Sequence, residues 1–359
     1  MKKFLTVVVS VAMVMAMAMG CGGGSKDPVQ TDAPDDSTQT EATEVDSSSE
    51  TETPDATGTP EVGDIGLGPV EANEEYKIGC SIAERDQFLS FLQDAIVSEA
   101  LAIGLDITAL DAGDDSNLQL QHVQSFVNQG YDAIIMNLVD AGTVTAMEEM
   151  AGDIPIIYVN RTPGVELTKG ESVYIGSNEN FSGRYQGEFL AEYFNAKGMT
   201  DVKAVLLRGG TSAHADSRSE EAMKALADGG INVDYVFDES AGWSRVKAFE
   251  LVNQFLVDDP EFDCIISNND EMAIGAISAL EVNGIEPSSI PIVGIDATPQ
   301  ALAQMQDGAL AFTVYQDADA QGINAVRATV MILNGDDVDT LVDIPFEPVT
   351  VENYQDFMK

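Results

Sequence analysis

Residues 264–280 read CIISNNDEMAIGAISAL, passing from a short apolar run through a polar corner into an amphipathic helix. Ile265 and Ile266 predict a buried parallel strand and Ser267 to Asp270 a turn, while Met272, Ile274, Ile277 and Leu280 form a core-facing stripe. In open α/β sheets, ligands sit beyond the carboxyl ends of the strands, where such turns gather. Asn269 and Asp270 therefore either face a ligand or merely cap the helix. Recurrence at other strand ends separates the two readings.

From Tyr76 to Lys359 the same alternation repeats. Candidate strands are Lys77–Ile82, Ile107–Leu110, Ala133–Met136, Ile156–Val159, Val173–Ile175, Val202–Leu207, Val233–Phe237, Cys264–Ile266, Ile292–Ile295 and Ala311–Tyr315. Between them lie helical stripes such as Phe88, Leu92, Ala95, Ile96 and Phe249, Val252, Phe255, Leu256. Strands alternating with helices imply parallel sheets built from right-handed βαβ units. Ten strands exceed one comfortable sheet, so the pattern predicts an α/β protein of two doubly wound parallel-sheet domains, divided at about Ser177. A ligand would sit in the cleft between their facing strand ends.

Just past the strands stand Asp86, Gln87 and Phe88; Asn160 and Arg161; His214, Asp216 and Arg218; Trp243; Asn269; Asp296; and Gln316. Amides, carboxylates, guanidinium groups and two flat rings thus recur at one structural address. They suit an uncharged sugar: each hydroxyl both donates and accepts, and the apolar C–H faces of the ring pack on aromatic rings such as Phe88 and Trp243. Arg208-Gly209-Gly210-Thr211 lacks the Lys and the glycine spacing of a phosphate loop, and three carboxylates repel an anion. Plainer readings stand beside these. Phe88 and Trp243 could be core aromatics, Asp86, Asp216 and Asp296 helix caps, and His214 a solvated loop residue. Arg161 could pair with a nearby carboxylate, Asn137 reads as a turn former, and His122 as a surface position on a helix.

The N-terminal part differs in kind. Lys2 and Lys3 precede an apolar run from Phe4 to Gly20, the pattern of a secretory signal. Ala18 and Gly20 before Cys21, with Gly22 to Gly24 after it, form a lipobox-like sequence in which Cys21 would carry lipid and tether the protein to a membrane. Residues 22–75 form an acidic Ser/Thr/Pro linker. From Pro28 to Glu75 it has no Lys, Arg, Cys or aromatic residue, so it is expected to be a disordered, self-repelling spacer. The formal net charge of −44 argues against nucleic-acid binding. Cys80 and Cys264 read as isolated buried thiols, and neither metal-ligand spacing nor a cofactor fingerprint is present.

Several motifs together resemble the periplasmic sugar-binding protein family. They are Ile78-Gly79 with Asp86-Gln87-Phe88, Asn137-Leu138-Val139-Asp140, Asn160-Arg161, His214-Ala215-Asp216, Trp243, Asn268 to Ala273, Gly294 to Ala297 and Thr313 to Asp317. The likeness is greatest to galactose/glucose-binding proteins, with ribose-binding proteins next. It implies a non-enzymatic, monomeric, extracytoplasmic component of an ABC sugar importer, binding galactose or glucose by hinge closure and engaging a membrane permease. A sugar sensor presenting the closed form to a kinase or chemoreceptor is the alternative, with a ribose or xylose binder or a carbohydrate-active enzyme ranked below it. The resemblance also implies three crossovers near Ser177, Gln316 and Pro345 to Pro348. These give an N-terminal lobe of residues 76–177 plus 317–345 and a C-terminal lobe of 178–316 plus 346–359. Phe88 and Trp243 would stack on the sugar, and Asp86, Asn160, His214, Asp216, Arg218, Asn269 and Asp296 would bind its hydroxyls. Arg218 follows Asp216 by a shorter gap than in galactose/glucose binders, and Gln316 stands where they have Asn, as in ribose binders. Asn195 to Asp201 lacks the alternating Asp/Asn and Gly of a calcium loop, so no calcium is expected there.

Overall fold

The computed structural model describes residues 65–210 and 212–358. The signal sequence, Cys21 and most of the acidic linker lie outside the described residues. No helix among the described residues is long and apolar enough to cross a membrane.

Twelve strands form two six-stranded sheets. The first contains β1 (Lys77–Ile82), β2 (Asp106–Asp111), β3 (Ala133–Met136), β4 (Ile156–Val159), β5 (Ser172–Gly176) and β11 (Leu341–Asp343), in the order β11-β5-β4-β3-β1-β2. Helices α1 (Gln87–Ile103) and α9 (Ala318–Asn334) join one apolar cluster of this lobe, while α2 (Ser116–Asn128) and α3 (Val144–Ala151) join another. The second sheet contains β6 (Asp201–Arg208), β7 (Asn232–Ser240), β8 (Cys264–Ser267), β9 (Ile292–Val293), β10 (Phe312–Tyr315) and β12 (Glu347–Thr350), in the order β12-β10-β9-β8-β6-β7. Helices α4 (Glu179–Ala196) and α5 (Ala213–Asp228) supply one of its clusters, and α6 (Arg245–Phe255), α7 (Asp270–Val282) and α8 (Pro299–Gln306) the other. The strands read as continuous apolar runs because helices cover both faces. Only β12 runs antiparallel to its neighbour, and Pro348 is tolerated there because β12 is an edge strand.

The chain passes between the sheets three times: after β5, after β10, and between β11 and β12. The two sheets therefore face each other across a cleft spanned by three adjacent segments. Cys80 in β1 and Cys264 in β8 are buried free thiols, and burial pushes the Cys80 thiol up to about 12.

Three expectations need correction. Residues 65–75, assigned to the linker on composition, lie along α9 instead. The Leu67 amide donates to Asn324 Oδ1 at 2.5 Å, Asn324 Nδ2 donates to the Ile65 carbonyl at 2.8 Å, and Arg327 Nη1 to the Leu67 carbonyl at 2.8 Å. Ile65, Leu67, Val70 and Ala72 pack on the core, so this short apolar tail of the segment offsets its ordering entropy. His122 is buried rather than on the surface. With Gln119, Val123 and Phe126 it lies on the inward stripe of α2, and its Nδ1 is 3.0 Å from the Ser81 hydroxyl. Asn137 is a buried tie rather than a turn former: its Oδ1 accepts from the Ala83 amide at 3.1 Å, and its Nδ2 donates to the Val159 carbonyl at 3.2 Å.

Candidate functional site

The corners that follow β1, β4, β6, β7, β8, β9 and β10 converge. One cavity between the sheets is lined by Asp86, Phe88, Leu89, Asn160, Arg161, His214, Arg218, Trp243, Asn269, Asp296 and Gln316. Ten of the eleven ligand residues named from the sequence line it, and Leu89 is the additional member.

Asp216 is the one left out. It is exposed, in the first turn of α5, whereas Arg218 is buried and His214 lines the cavity. Helix geometry is the reason: His214 and Arg218 are four residues apart and share a face, while positions two apart do not.

For two residues both readings hold at once. Asp86 caps α1, its Oδ1 accepting from the Leu89 amide at 2.6 Å, and Asn269 caps α7, its Oδ1 accepting from Met272 at 3.0 Å. Each keeps a second polar atom, and Asn269 Nδ2 lies 3.4 Å from the Trp243 carbonyl. Arg161 does pair with a carboxylate: Nη2 is 3.3 Å from Glu84 Oε1, and Nη1 donates to the Leu138 carbonyl at 3.0 Å. Asn160 Nδ2 donates to Gln321 Oε1 at 3.2 Å, and its carbonyl accepts from the Tyr174 hydroxyl at 2.8 Å.

Arg218 is held most tightly. Its Nε and Nη2 donate to Glu179 at 2.7 and 3.3 Å, Nη1 to the Asn268 carbonyl at 2.7 Å, and Nη2 to Gln316 Oε1 at 3.2 Å. Of five guanidinium N–H groups, one on Nη1 remains, and Asp296 Oδ1 lies 3.9 Å from that nitrogen. Gln316 Nε2 is buried with no hydrogen-bond partner among the described residues. An orphaned buried donor lining a cavity is what a hydroxyl acceptor would satisfy.

The aromatic wall is built by a close approach. The His214 ring lies against Trp243, centroids 5.1 Å apart and planes 8° apart. A Cβ on Gly209 would run into the Trp243 six-membered ring, so glycine there lets the strand end meet the indole flat. Trp243 has φ 61°, Asn160 67°, Asp296 119° and Ala297 52°. Non-glycine residues in this region are costly and cluster at ligand clamps.

Burial sets the charge states. Burial, the Arg161 and Arg218 charges acting with it, holds His214 well below the ordinary imidazole range, so its ring is neutral. Burial pushes Asp296 well above the ordinary carboxylate range; Arg218 opposes this, and Asp270 and Asp86 add to it. Asp86 is raised by burial against the pull of its Leu89 hydrogen bond. Asp270 sits behind Asp296, accepting from the Thr313 hydroxyl at 2.7 Å and the Thr298 amide at 2.9 Å. Sequence reasoning missed Glu84 and Glu179, the carboxylates that fix the two arginines, because their importance comes from contacts distant in sequence.

Two lobes on three adjacent segments, with a polar and aromatic cavity at their facing strand ends, define a hinged solute-binding protein. Residues 80–337 match the periplasmic binding protein domain family, and the chain belongs to it. It is 37% identical to a candidate rhizopine-binding protein of Rhizobium meliloti, over 78% of this chain and 92% of that one. It is 29% identical to the D-galactose/methyl-galactoside binding periplasmic protein of Haemophilus influenzae, over 82% of this chain and 96% of that one. An ABC transporter solute binding protein from Bacillus halodurans, solved with bound myo-inositol, superposes with a TM-score of 0.73 at 34% identity. That match covers 79% of this chain and 97% of the other.

Proposed function

We propose that this protein is the extracytoplasmic solute-binding component of an ABC importer and binds one six-membered polyhydroxylated ring, galactose or glucose foremost. The observation that carries this reading is the single cavity lined by amides, carboxylates, guanidinium groups, Phe88 and Trp243 from both lobes. Asp86, Asn160, Asn269, Asp296 and the free donors of Arg218 and Gln316 pair with ring hydroxyls, and the aromatic rings cover its C–H faces. His214, being neutral, both donates and accepts. Because the ligand residues belong to both lobes, only the closed form makes all the contacts, so sugar favours closure. A membrane permease then reads the closed surface.

The relatives named above are solute-binding proteins, which supports a role in binding without bond cleavage. Lipid on Cys21 anchors the protein to the membrane as a monomer, with the acidic linker as spacer. A thermal-shift screen across galactose, glucose, myo-inositol, xylose, ribose and arabinose tests the reading, because a bound ligand raises Tm by mass action. A hexose or cyclitol is expected to give the largest rise. A flat profile across the whole set refutes the assignment.

A further inference from the structure

Asn160 brings a side-chain amide to the cavity, and what that amide can offer is decided behind it, starting at Asn137. Asn137 Oδ1 accepts from the Ala83 backbone N–H at 3.1 Å, and its Nδ2 donates to the Val159 carbonyl at 3.2 Å. Backbone groups cannot exchange these roles, so the orientation of the Asn137 amide is fixed. Its second N–H points a donor at Asn160, whose Oδ1 accepts it at 3.3 Å. With Oδ1 on that side, Asn160 Nδ2 faces α9 and donates to Gln321 Oε1 at 3.2 Å. Gln321 Nε2 in turn donates to Ser177 Oγ at 3.3 Å. Three amides thus carry one polarity from the backbone of the first lobe to the first passage between the lobes.

Gln321 does not line the cavity. It is buried at the start of α9, directly after the second passage, where its backbone N–H donates to the Asp317 carbonyl at 3.0 Å. It therefore holds a cavity residue with one end of its amide and joins two of the three passages with the other. Asn160 keeps one N–H and one Oδ1 lone pair for a ligand, in an order that Asn137 and Gln321 impose. Resting on the ring-binding reading above, we propose that Gln321 is a positioning residue of the binding site. It sets the order in which Asn160 presents donor and acceptor, and it fixes that residue to the hinge. An apolar side chain in its place leaves an Asn160 N–H buried without a partner and the amide free to turn.

The test uses the full-length protein with Gln321→Met, which keeps the side-chain length and removes both hydrogen bonds, alone and combined with Asn160→Ala. Galactose, glucose and myo-inositol are titrated calorimetrically. For each probe that binds the unmodified protein, Gln321→Met is expected to weaken binding tenfold or more. In the Asn160→Ala background it is expected to cost less than threefold, because Gln321 acts through Asn160. An equal loss in both backgrounds would mark a purely structural role and overturn the proposal. The ligand-free protein supplies an independent signal. The Asn160 side-chain amide resonances, assigned by their absence from Asn160→Ala, are expected to shift in Gln321→Met and in the milder Ser177→Ala. Unshifted resonances in either variant overturn the proposal while leaving the sugar-binding reading intact. If no probe binds the unmodified protein, the sugar-binding reading falls, and the amide resonances alone decide whether Gln321 positions Asn160.

Discussion

The Arg218 guanidinium and the Glu179 carboxylate form a buried pair, Nε to Oε2 at 2.7 Å, with side chains 5% and 11% exposed. Glu179 opens α4 directly after the first passage between the lobes, so the residue that aims the cavity's most deeply held cation stands at the hinge. Gly183, one turn further along α4, packs against the Arg218 backbone so closely that a Cβ would meet its carbonyl. Removing one partner of such a pair leaves an uncompensated charge, at a cost of about 3–5 kcal/mol. Glu179→Ala is expected to lower stability by that amount in chemical denaturation. It is also expected to weaken sugar binding more than tenfold.

Gly209 tests the aromatic wall. Gly209→Ala forces the Trp243 indole to shift, because the added methyl occupies the space of its six-membered ring. Overpacking of this kind costs about 1–3 kcal/mol. The expected result is a folded protein with a modest fall in Tm, at least tenfold weaker sugar binding, and altered Trp243 fluorescence. Trp243 is the only tryptophan of the chain, so the emission reports this position alone.

His214 stays neutral across the physiological range, since burial and the two neighbouring arginines lower its pKa well below 6.5. The chain has two histidines, and His214→Gln assigns their NMR signals. The His214 ring resonances are expected to hold constant from pH 8 to pH 6. A midpoint within that interval would refute the assigned charge state.

Asp270 gives stability a pH dependence of definite sign. Its folded pKa is raised to about 7, chiefly by burial, with the Thr313 and Thr298 hydrogen bonds opposing, against an unfolded value of about 3.9. The folded state thus binds the proton more tightly than the unfolded state. The resulting stabilisation is complete below about pH 4 and is lost as pH rises through 7. Between pH 5 and pH 8 the Tm of the ligand-free protein is expected to fall more steeply than that of Asp270→Asn. Equal slopes would contradict it.

Much of this was legible because strand ends in doubly wound sheets have a fixed address. Once Ile265 and Ile266 are read as a strand, Asn269 must stand at its carboxyl end, and the same logic gathers Asp86, Asn160, Trp243 and Asp296. Asp216 was misplaced because a motif was carried over without turning the helix: two residues from Arg218, it faces away. The strands β11 and β12 escaped notice because they have three and four residues and β12 contains Pro348, which is admissible only at an edge. Ile65 to Ala72 was hidden by averaging composition over a long acidic segment. The buried role of Glu179 has no local signal, since Arg218 meets it only in the folded chain.

The central claim is that the cleft is a sugar site with Asp296 at its heart, and calorimetric titration of Asp296→Ala with the best ligand of the thermal-shift screen tests it most directly. A site that pairs each hydroxyl is expected to lose affinity by about 100-fold or more, with an unchanged circular dichroism spectrum. An affinity within threefold of the unmodified protein would contradict the account.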